Sequence, residues 1–210
     1  MDGVLVQGVS SWATVHQSLG TDNENGYLAY KSGRIDDHQF MASDIALWTE
    51  RGIETVDEIE HIVENIPLMK GAETVVSFLK EQGYITVIIS GGLDLLADRL
   101  AGELSMDHSV ANGLETTGDG RLTGRGILRV PLLNKGAPLR VVLGRIGEID
   151  RVIAIGDSPV DIPMFDMSDL SIAFNPREKA VSEGAMRTVF SDDLTDVLEF
   201  IRPFDEVRPD

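Results

Sequence analysis

A doubly wound, mostly parallel α/β sheet carrying a small helical insertion is the fold this sequence predicts, and three observations support it. From Gly71 onward, short β-rich runs alternate with amphipathic helices, the pattern that right-handed crossovers convert into a parallel sheet. Between residues 8 and 70, helix signals succeed one another without a strand run. Arg151-Val-Ile-Ala-Ile-Gly-Asp157 then carries an apolar run straight into a carboxylate, as an open α/β sheet does where it presents ligands at a strand's carboxyl end. The expected organisation is a core of residues 1–7 and 71–210 with a helical cap at 8–70.

Each element has a local cause. Ser10 or Ser11 can cap a helix bearing Trp12, Val15, His16 and Leu19 on one face, stopped by Gly20. Residues 21–33 are polar and turn-rich and read as a loop with at most a helical turn at Tyr27–Tyr30. Asp36 with Gln39, and Thr55 with Glu58, have capping-box spacing ahead of two further helices, the second ended by Pro67. In the core, a helix at Ala72–Gln82 leads to a strand at Tyr84–Ile89 that terminates in Ser90-Gly91-Gly92, followed by a helix at Leu93–Leu104. His108–Ala111 reads as a short strand, and Leu114–Gly124 as a hairpin turned at Gly118-Asp119-Gly120. A helix from Lys135, the Arg151 strand, strands at Leu170–Phe174 and Arg187–Phe190 around a helix at Arg177–Ala185, and a last helix at Asp193–Ile201 complete the alternation. Residues 202–210 read as a loose tail.

Composition excludes several classes of function. The chain has 210 residues, 42% of them hydrophobic, enough for a full core. It has no cysteine, which removes disulfides, thiolate metal sites and cysteine nucleophiles together. Its four histidines (His16, His38, His61, His108) show no metal-ligand spacing. A net charge of −17 repels nucleic acid and anionic membranes. With no long apolar run and no basic-then-apolar start, a cytoplasmic protein is expected. An anionic small substrate would need a local cation.

Four polar turns line up in chain order: Asp2, Ser90-Gly91-Gly92, Lys135, and Asp157 with Asp161 one helical turn on if Pro159 opens a helix. Together they are the parts phosphoryl transfer needs. A carboxylate approaching a phosphate dianion pays roughly 4 kcal/mol per unit of like charge at about 4 Å with an effective dielectric near 20. A lysine and a divalent metal reverse that sign, while a hydroxyl and backbone amides hold the equatorial oxygens. Mg²⁺ suits a pair of acids completed by substrate phosphate.

On Met1-Asp2-Gly3-Val4, Ile88-Ile89-Ser90-Gly91-Gly92, Asn134-Lys135-Gly136 and Gly156-Asp157-Ser158 with Asp161-Ile162-Pro163-Met164, the chain resembles the haloacid dehalogenase superfamily, in its phosphoserine phosphatase-like branch. The resemblance implies a Mg²⁺-dependent phosphatase that hydrolyses a small phosphomonoester through an aspartyl-phosphate. It implies Asp2 as general acid and base with its carbonyl on the metal, and Ser90, Gly91, Gly92 and Lys135 on the phosphoryl group. Asp157 would ligate Mg²⁺, Asp161 would support the metal shell, and the inserted helices would form a cap that closes over a small phosphorylated metabolite.

The family nucleophile would stand one place before Met1. The expectation is that it lies upstream of Met1, together with a strand, and that the chain as it stands lacks turnover. Three or four missing buried aliphatics at about 1.5–3 kcal/mol each would rival a domain's whole stability of roughly 5–15 kcal/mol. A catalytically silent phosphate-binding relative and a phosphotransferase using the same site are the alternatives. Ungapped counting puts Val9 and Leu47 at the two serine-reading cap positions, and Val160 stands where an asparagine is usual. A sugar, polyol or other small phosphomonoester is therefore expected in place of phosphoserine.

Overall fold

The computed structural model describes residues 1–8 and 10–206. Four helices come first, α1 (Ser11–Leu19), α2 (Glu24–Lys31), α3 (Asp37–Glu50) and α4 (Val56–Val63), followed by α5 (Ala72–Glu81). Then come β1 (Val87–Leu93), α6 (Asp94–Glu103), β2 (His108–Thr116), β3 (Leu122–Ile127), α7 (Gly136–Ile146) and β4 (Ile153–Gly156). The chain finishes with α8 (Ile162–Phe165), β5 (Leu170–Phe174), α9 (Lys179–Gly184), β6 (Arg187–Val189) and α10 (Leu198–Glu206).

The strands form two three-stranded sheets, β1-β2-β3 and β4-β5-β6. All pairings are parallel except the β2–β3 hairpin. This is the expected α/β architecture, divided in the middle. β5 is buried at every position, as a parallel strand covered on both faces should be, whereas Ile153 and Ile155 of β4 stay partly exposed. The reason is a cleft of about 750 Å³ lined by β1 (Val87, Ile88, Ile89) and β4 (Ile153, Ala154, Ile155). Val75, Val76 and Leu79 of α5 and Leu139, Val142 and Leu143 of α7 also line it.

Three apolar clusters hold the layers. Trp12, Val15, Ile45, Trp48 and Ile59 of the first helices pack with Leu93, Leu96 and Leu100 at β1 and α6. Val75 of α5 joins Ile172, Phe174, Val197 and Ile201. Leu139 and Val142 of α7 join Ile89, Ala154, Phe165 and Ala173.

Local chemistry explains where the elements differ from expectation. α1 stops at Gly20, whose φ of 63° suits a residue without Cβ. The Asp36/Gln39 capping box is formed, and Glu58 accepts from both the amide and the hydroxyl of Thr55. Residues 24–31, expected as a loop, are helical because the Asn23 side chain accepts from the Gly26 amide and satisfies the first turn. β1 begins at Val87, later than expected, and continues through Ser90-Gly91-Gly92 to Leu93 by pairing with β2 across a register shift. α4 ends at Val63, ahead of Pro67. Residues 202–206 of the expected tail extend α10, and 207–210 lie outside the described residues.

Asp107 pins the entrance of β1. It accepts from the Thr86 amide and hydroxyl at 2.8 Å each and from Lys80 Nζ at 2.9 Å, and these bonds hold its carboxyl down at about 2. A carboxylate with a lowered folded pKa stabilises above its ordinary 3.8 and loses that contribution as pH falls through about 2. Asp107→Asn should therefore lower the urea midpoint at pH 7, and the difference from the parent chain should shrink between pH 4 and pH 2, as chemical denaturation at several pH values will measure.

Candidate active site

β1 delivers the first half of the site. Ser90, 2% exposed, accepts the Gly92 amide on its Oγ at 3.0 Å, which curls the chain at the strand's end. Gly92 has no room for a side chain. A Cβ there would stand 2.5 Å from Asp2 Oδ2 and 2.6 Å from Ser11 Oγ. Ser11 at the start of α1 accepts the Leu93 amide at 2.9 Å and holds the Asp2 carboxylate through its own hydroxyl and amide. The Gly91 carbonyl accepts from Trp12 Nε1 at 3.1 Å and from Asn112 Nδ2 at 3.3 Å. Asn112, fully buried, also accepts the amides of Arg129 and Val130 at 2.8 Å each, tying the Ser90 turn to the loop that leads to Lys135.

β4 delivers the other half. Asp161 closes a short 3₁₀ turn (Pro159–Asp161), and its Oδ2 accepts from the Asp157 amide, the Ser158 amide and the Ser158 hydroxyl. Its Oδ1 accepts from Lys135 Nζ at 2.6 Å. Lys135 caps α7, and its amide donates to the Val160 carbonyl at 3.3 Å, so the helix start is anchored to the acidic turn through main chain and side chain together. Asp157, also buried, has the Arg177 guanidinium 3.2 Å from Oδ2, and the same nitrogen donates to the Gly8 carbonyl at 3.1 Å. Gly3, at φ 71°, lies so close that a Cβ would fall 2.4 Å from Asp157 Oδ2.

These groups feel one another's charge. Burial pushes the Asp2 carboxyl up against the opposing pull of the Met1 ammonium, Lys135 and the Ser11 bonds. Burial, then the Asp161 charge, pushes Asp157 up, with Arg177, the Met1 ammonium and Lys135 opposing. Asp161 is the contrary case: burial alone would raise it, but the Lys135 charge and hydrogen bond carry it below the usual carboxylate range. The Met1 amine is pushed down, first by burial and then by Lys135. Asp2, Ser90, Gly91, Gly92, Lys135, Asp157 and Asp161 thus stand together at the carboxyl ends of β1 and β4.

The donor set fits a hard divalent cation through oxygen. Asp157 is buried, raised in pKa and aimed past the Gly3 backbone, so a cation beside it relieves an unfavourable charge. Asp2 turns its carboxylate toward Ser11 and Gly92. Asp161, with both oxygens engaged by four donors, orients Lys135 and the Asp157 main chain. Among the described residues, no three acid or histidine side chains form a metal-holding group.

Ser11, Asn112 and Arg177 escape a reading of the sequence for catalytic motifs. Ser11 is masked by its neighbour, since either serine could cap α1; the N-cap is Ser10, which frees Ser11 to face inward. Asn112 is a buried amide in a strand, and Arg177 becomes relevant only when β5 is laid beside β4.

An open α/β sheet with acids, a serine and a lysine gathered at its strand ends defines a phosphoryl-handling hydrolase class, and comparison with known proteins makes the assignment specific. Residues 2–166 match the family model of haloacid dehalogenase-like hydrolases. Phosphoserine phosphatase of Archaeoglobus fulgidus is 36% identical over 137 residues, covering 62% of this chain and 39% of that protein. Phosphoserine phosphatase of Methanocaldococcus jannaschii is 29% identical over 175 residues, 81% of this chain and 79% of the relative. A solved structure of a phospho-aspartyl intermediate analogue of phosphoserine phosphatase superposes with a TM-score of 0.77 at 25% identity, covering 95% of each chain. The chain belongs to the haloacid dehalogenase-like hydrolase family, in its phosphoserine phosphatase-like branch.

Proposed function

We propose that this protein is a Mg²⁺-dependent phosphatase that hydrolyses a small phosphomonoester through an aspartyl-phosphate; the family's nucleophile position, two residues before Asp2, lies outside this sequence. The observation that carries the reading is the buried Lys135–Asp161 pair at 2.6 Å beside Asp2 and Asp157, a fixed cation inside a chain of net charge −17. The relatives' names and the phospho-aspartyl structure support a phosphomonoester hydrolase of this chemistry.

Lys135 and the Ser90 hydroxyl bind the phosphoryl oxygens, with the Gly91 and Gly92 backbone beside them. Asp2, its carboxyl pushed up by burial, serves as proton donor for the leaving alkoxide and then takes the proton of the attacking water. Asp157 and the Asp2 carbonyl would hold Mg²⁺, which when bound offsets the phosphate's charge. Residues 8–70 act as the cap: α1 reaches the site directly, Ser11 on Asp2 and Trp12 on the Gly91 carbonyl, so its closure excludes water where charge develops. Leu47 lies on α3 and Val9 is outside the described residues, and neither supplies a charge to read an amino acid, so the substrate is a phosphomonoester other than phosphoserine. The protein works in the cytoplasm on a soluble metabolite. Among the described residues no helix is long and apolar enough to cross a membrane.

A chain extended by an aspartate-ended segment and assayed with Mg²⁺ for phosphate release tests this. Turnover of sugar and polyol phosphates is expected, with kcat/KM on phosphoserine lower by about tenfold or more. Comparable turnover of phosphoserine would refute the substrate assignment. The Arg177–Asp157 contact favours a second reading, a silent phosphate-binding relative in which the guanidinium stands beside the would-be metal ligand. That reading expects no hydrolysis from the extended chain, yet retained binding of inorganic phosphate.

A further inference from the structure

We propose that Asp37, at the start of α3, is a positioning residue for the phosphoryl site: from the helical insertion it pins the loop that carries Lys135, and so sets that lysine against the Ser90 turn. Residues 128–135 form no helix or strand between β3 and α7, so the loop's amides need acceptors from elsewhere. Asn112 Oδ1 takes the amides of Arg129 and Val130, the Pro131 carbonyl takes that of Asn134, and the Val160 carbonyl takes that of Lys135. All three acceptors lie outside the insertion. The Leu132 amide is the exception, since it donates to Asp37 Oδ1 at 2.8 Å across 95 residues of sequence.

Leu132 is where that hold matters. Its side chain packs on Gly91, 3.2 Å from where a Cβ would stand, and Lys135 follows three residues later. One residue therefore touches one phosphoryl-binding turn and leads into the other, with its main chain fixed by α3. Asp37 is itself held. The Tyr30 hydroxyl of α2 donates to the same Oδ1 at 2.9 Å, and the buried Tyr30 ring stacks on Phe40 of α3 with centroids 5.1 Å apart. The carboxylate also stands in the first turn of α3, where main-chain amides favour negative charge. α1 grips the Ser90 turn through Ser11 and Trp12, so the insertion reaches both halves of the site, the second through Asp37. The inference rests on the reading that Ser90 and Lys135 take a phosphoryl group.

Inorganic phosphate, titrated calorimetrically into the chain with Mg²⁺ present, is the probe. Asp37→Ala removes the acceptor, whereas Asp37→Asn keeps an oxygen for both donors. Phosphate affinity should fall about tenfold in the alanine variant and stay within about twofold of the parent in the asparagine variant. Hydrogen exchange at the Leu132 amide should quicken by about tenfold or more in Asp37→Ala, while the amides of β5 keep the parent's rates. Linkage adds a readout that a merely structural role would not move: bound phosphate should slow Leu132 exchange in the parent by a factor comparable to the affinity gained, and by less in Asp37→Ala. Unchanged affinity in Asp37→Ala overturns the proposal. So does an equal loss in both variants, which assigns the effect to charge, or a loss with Leu132 exchanging at the parent's rate. Should Asp37→Ala fail to fold, Tyr30→Phe carries the test, since it frees one side of Asp37 and leaves the loop untouched. Both quantities should then move in the same directions by smaller factors, and no change in either overturns the proposal. A parent chain that binds no phosphate, or whose binding survives Lys135→Ala, refutes the site reading and this inference with it.

Discussion

Lys135→Ala is expected to abolish phosphate binding and to destabilise the fold by about 3–5 kcal/mol, the cost of stranding one partner of a buried ion pair. Asp161 is 1% exposed and has Lys135 as its cationic partner at 2.6 Å. Its other oxygen sets the Asp157 turn, so the loss should spread from the lysine to the candidate metal ligand. The pH dependence follows from the direction of its shift. The Asp161 pKa is lowered in the folded protein, so its contribution is present above 3.8 and is lost as pH falls through the folded value. The gap between parent and variant should be widest near neutrality and should close below pH 3.8. A gap that stays constant on acidification would mean that Lys135 acts by packing alone. Urea titrations of the parent and variant at pH 7 and pH 3 measure it.

Gly92→Ala is expected to crowd the candidate general acid directly. The added carbon falls 2.5 Å from Asp2 Oδ2, 2.6 Å from Ser11 Oγ and 2.7 Å from the end of Met1, and only Met1 is long enough to bend away. Overpacking of this kind costs about 1–3 kcal/mol. The larger consequence is for Asp2. Displacing it breaks the Ser11 bonds that hold it, and removing a positioned general acid slows reactions by roughly 10²–10⁴-fold. In a chain that turns over phosphomonoester, kcat should fall in that range, and least for substrates with good leaving groups, which need little protonation. Gly102→Ala, at a position with open space around it, is the control and should leave both stability and rate near the parent's. A uniform drop across leaving groups would assign the effect to lost phosphate binding instead of proton transfer.

Much of this was legible in the sequence because it depends on local rules. The alternation after Gly71 gives the elements their order, and the Asp36/Gln39 pair marks a helix start that depends on neighbouring residues only. The polar turns at Ser90 and Asp157 announce themselves because each follows an apolar strand. What escaped depends on contacts between distant parts of the chain. Ser11 and Asp2 meet only when α1 folds back over β1, and Arg177 reaches Asp157 only because β5 lies beside β4. α2 was obscured for a different reason: its apolar residues are few, and its stability comes from one side-chain cap at Asn23. The division of the sheet falls between β1 and β4, strands far apart in sequence whose relation periodicity within a single strand cannot reveal.

The stacked pair Trp12 and Trp48, with ring centroids 5.2 Å apart, gives the protein an intrinsic optical gauge. Trp12 donates its indole hydrogen to the Gly91 carbonyl, whereas Trp48 is fully enclosed, and the chain has no other tryptophan. Any lifting of the helical insertion away from the turn must free that indole from Gly91 to water, while the two rings, both carried by the insertion, move together. The emission should shift to the red as it happens, so that opening and closing could be followed in real time on the unlabelled molecule.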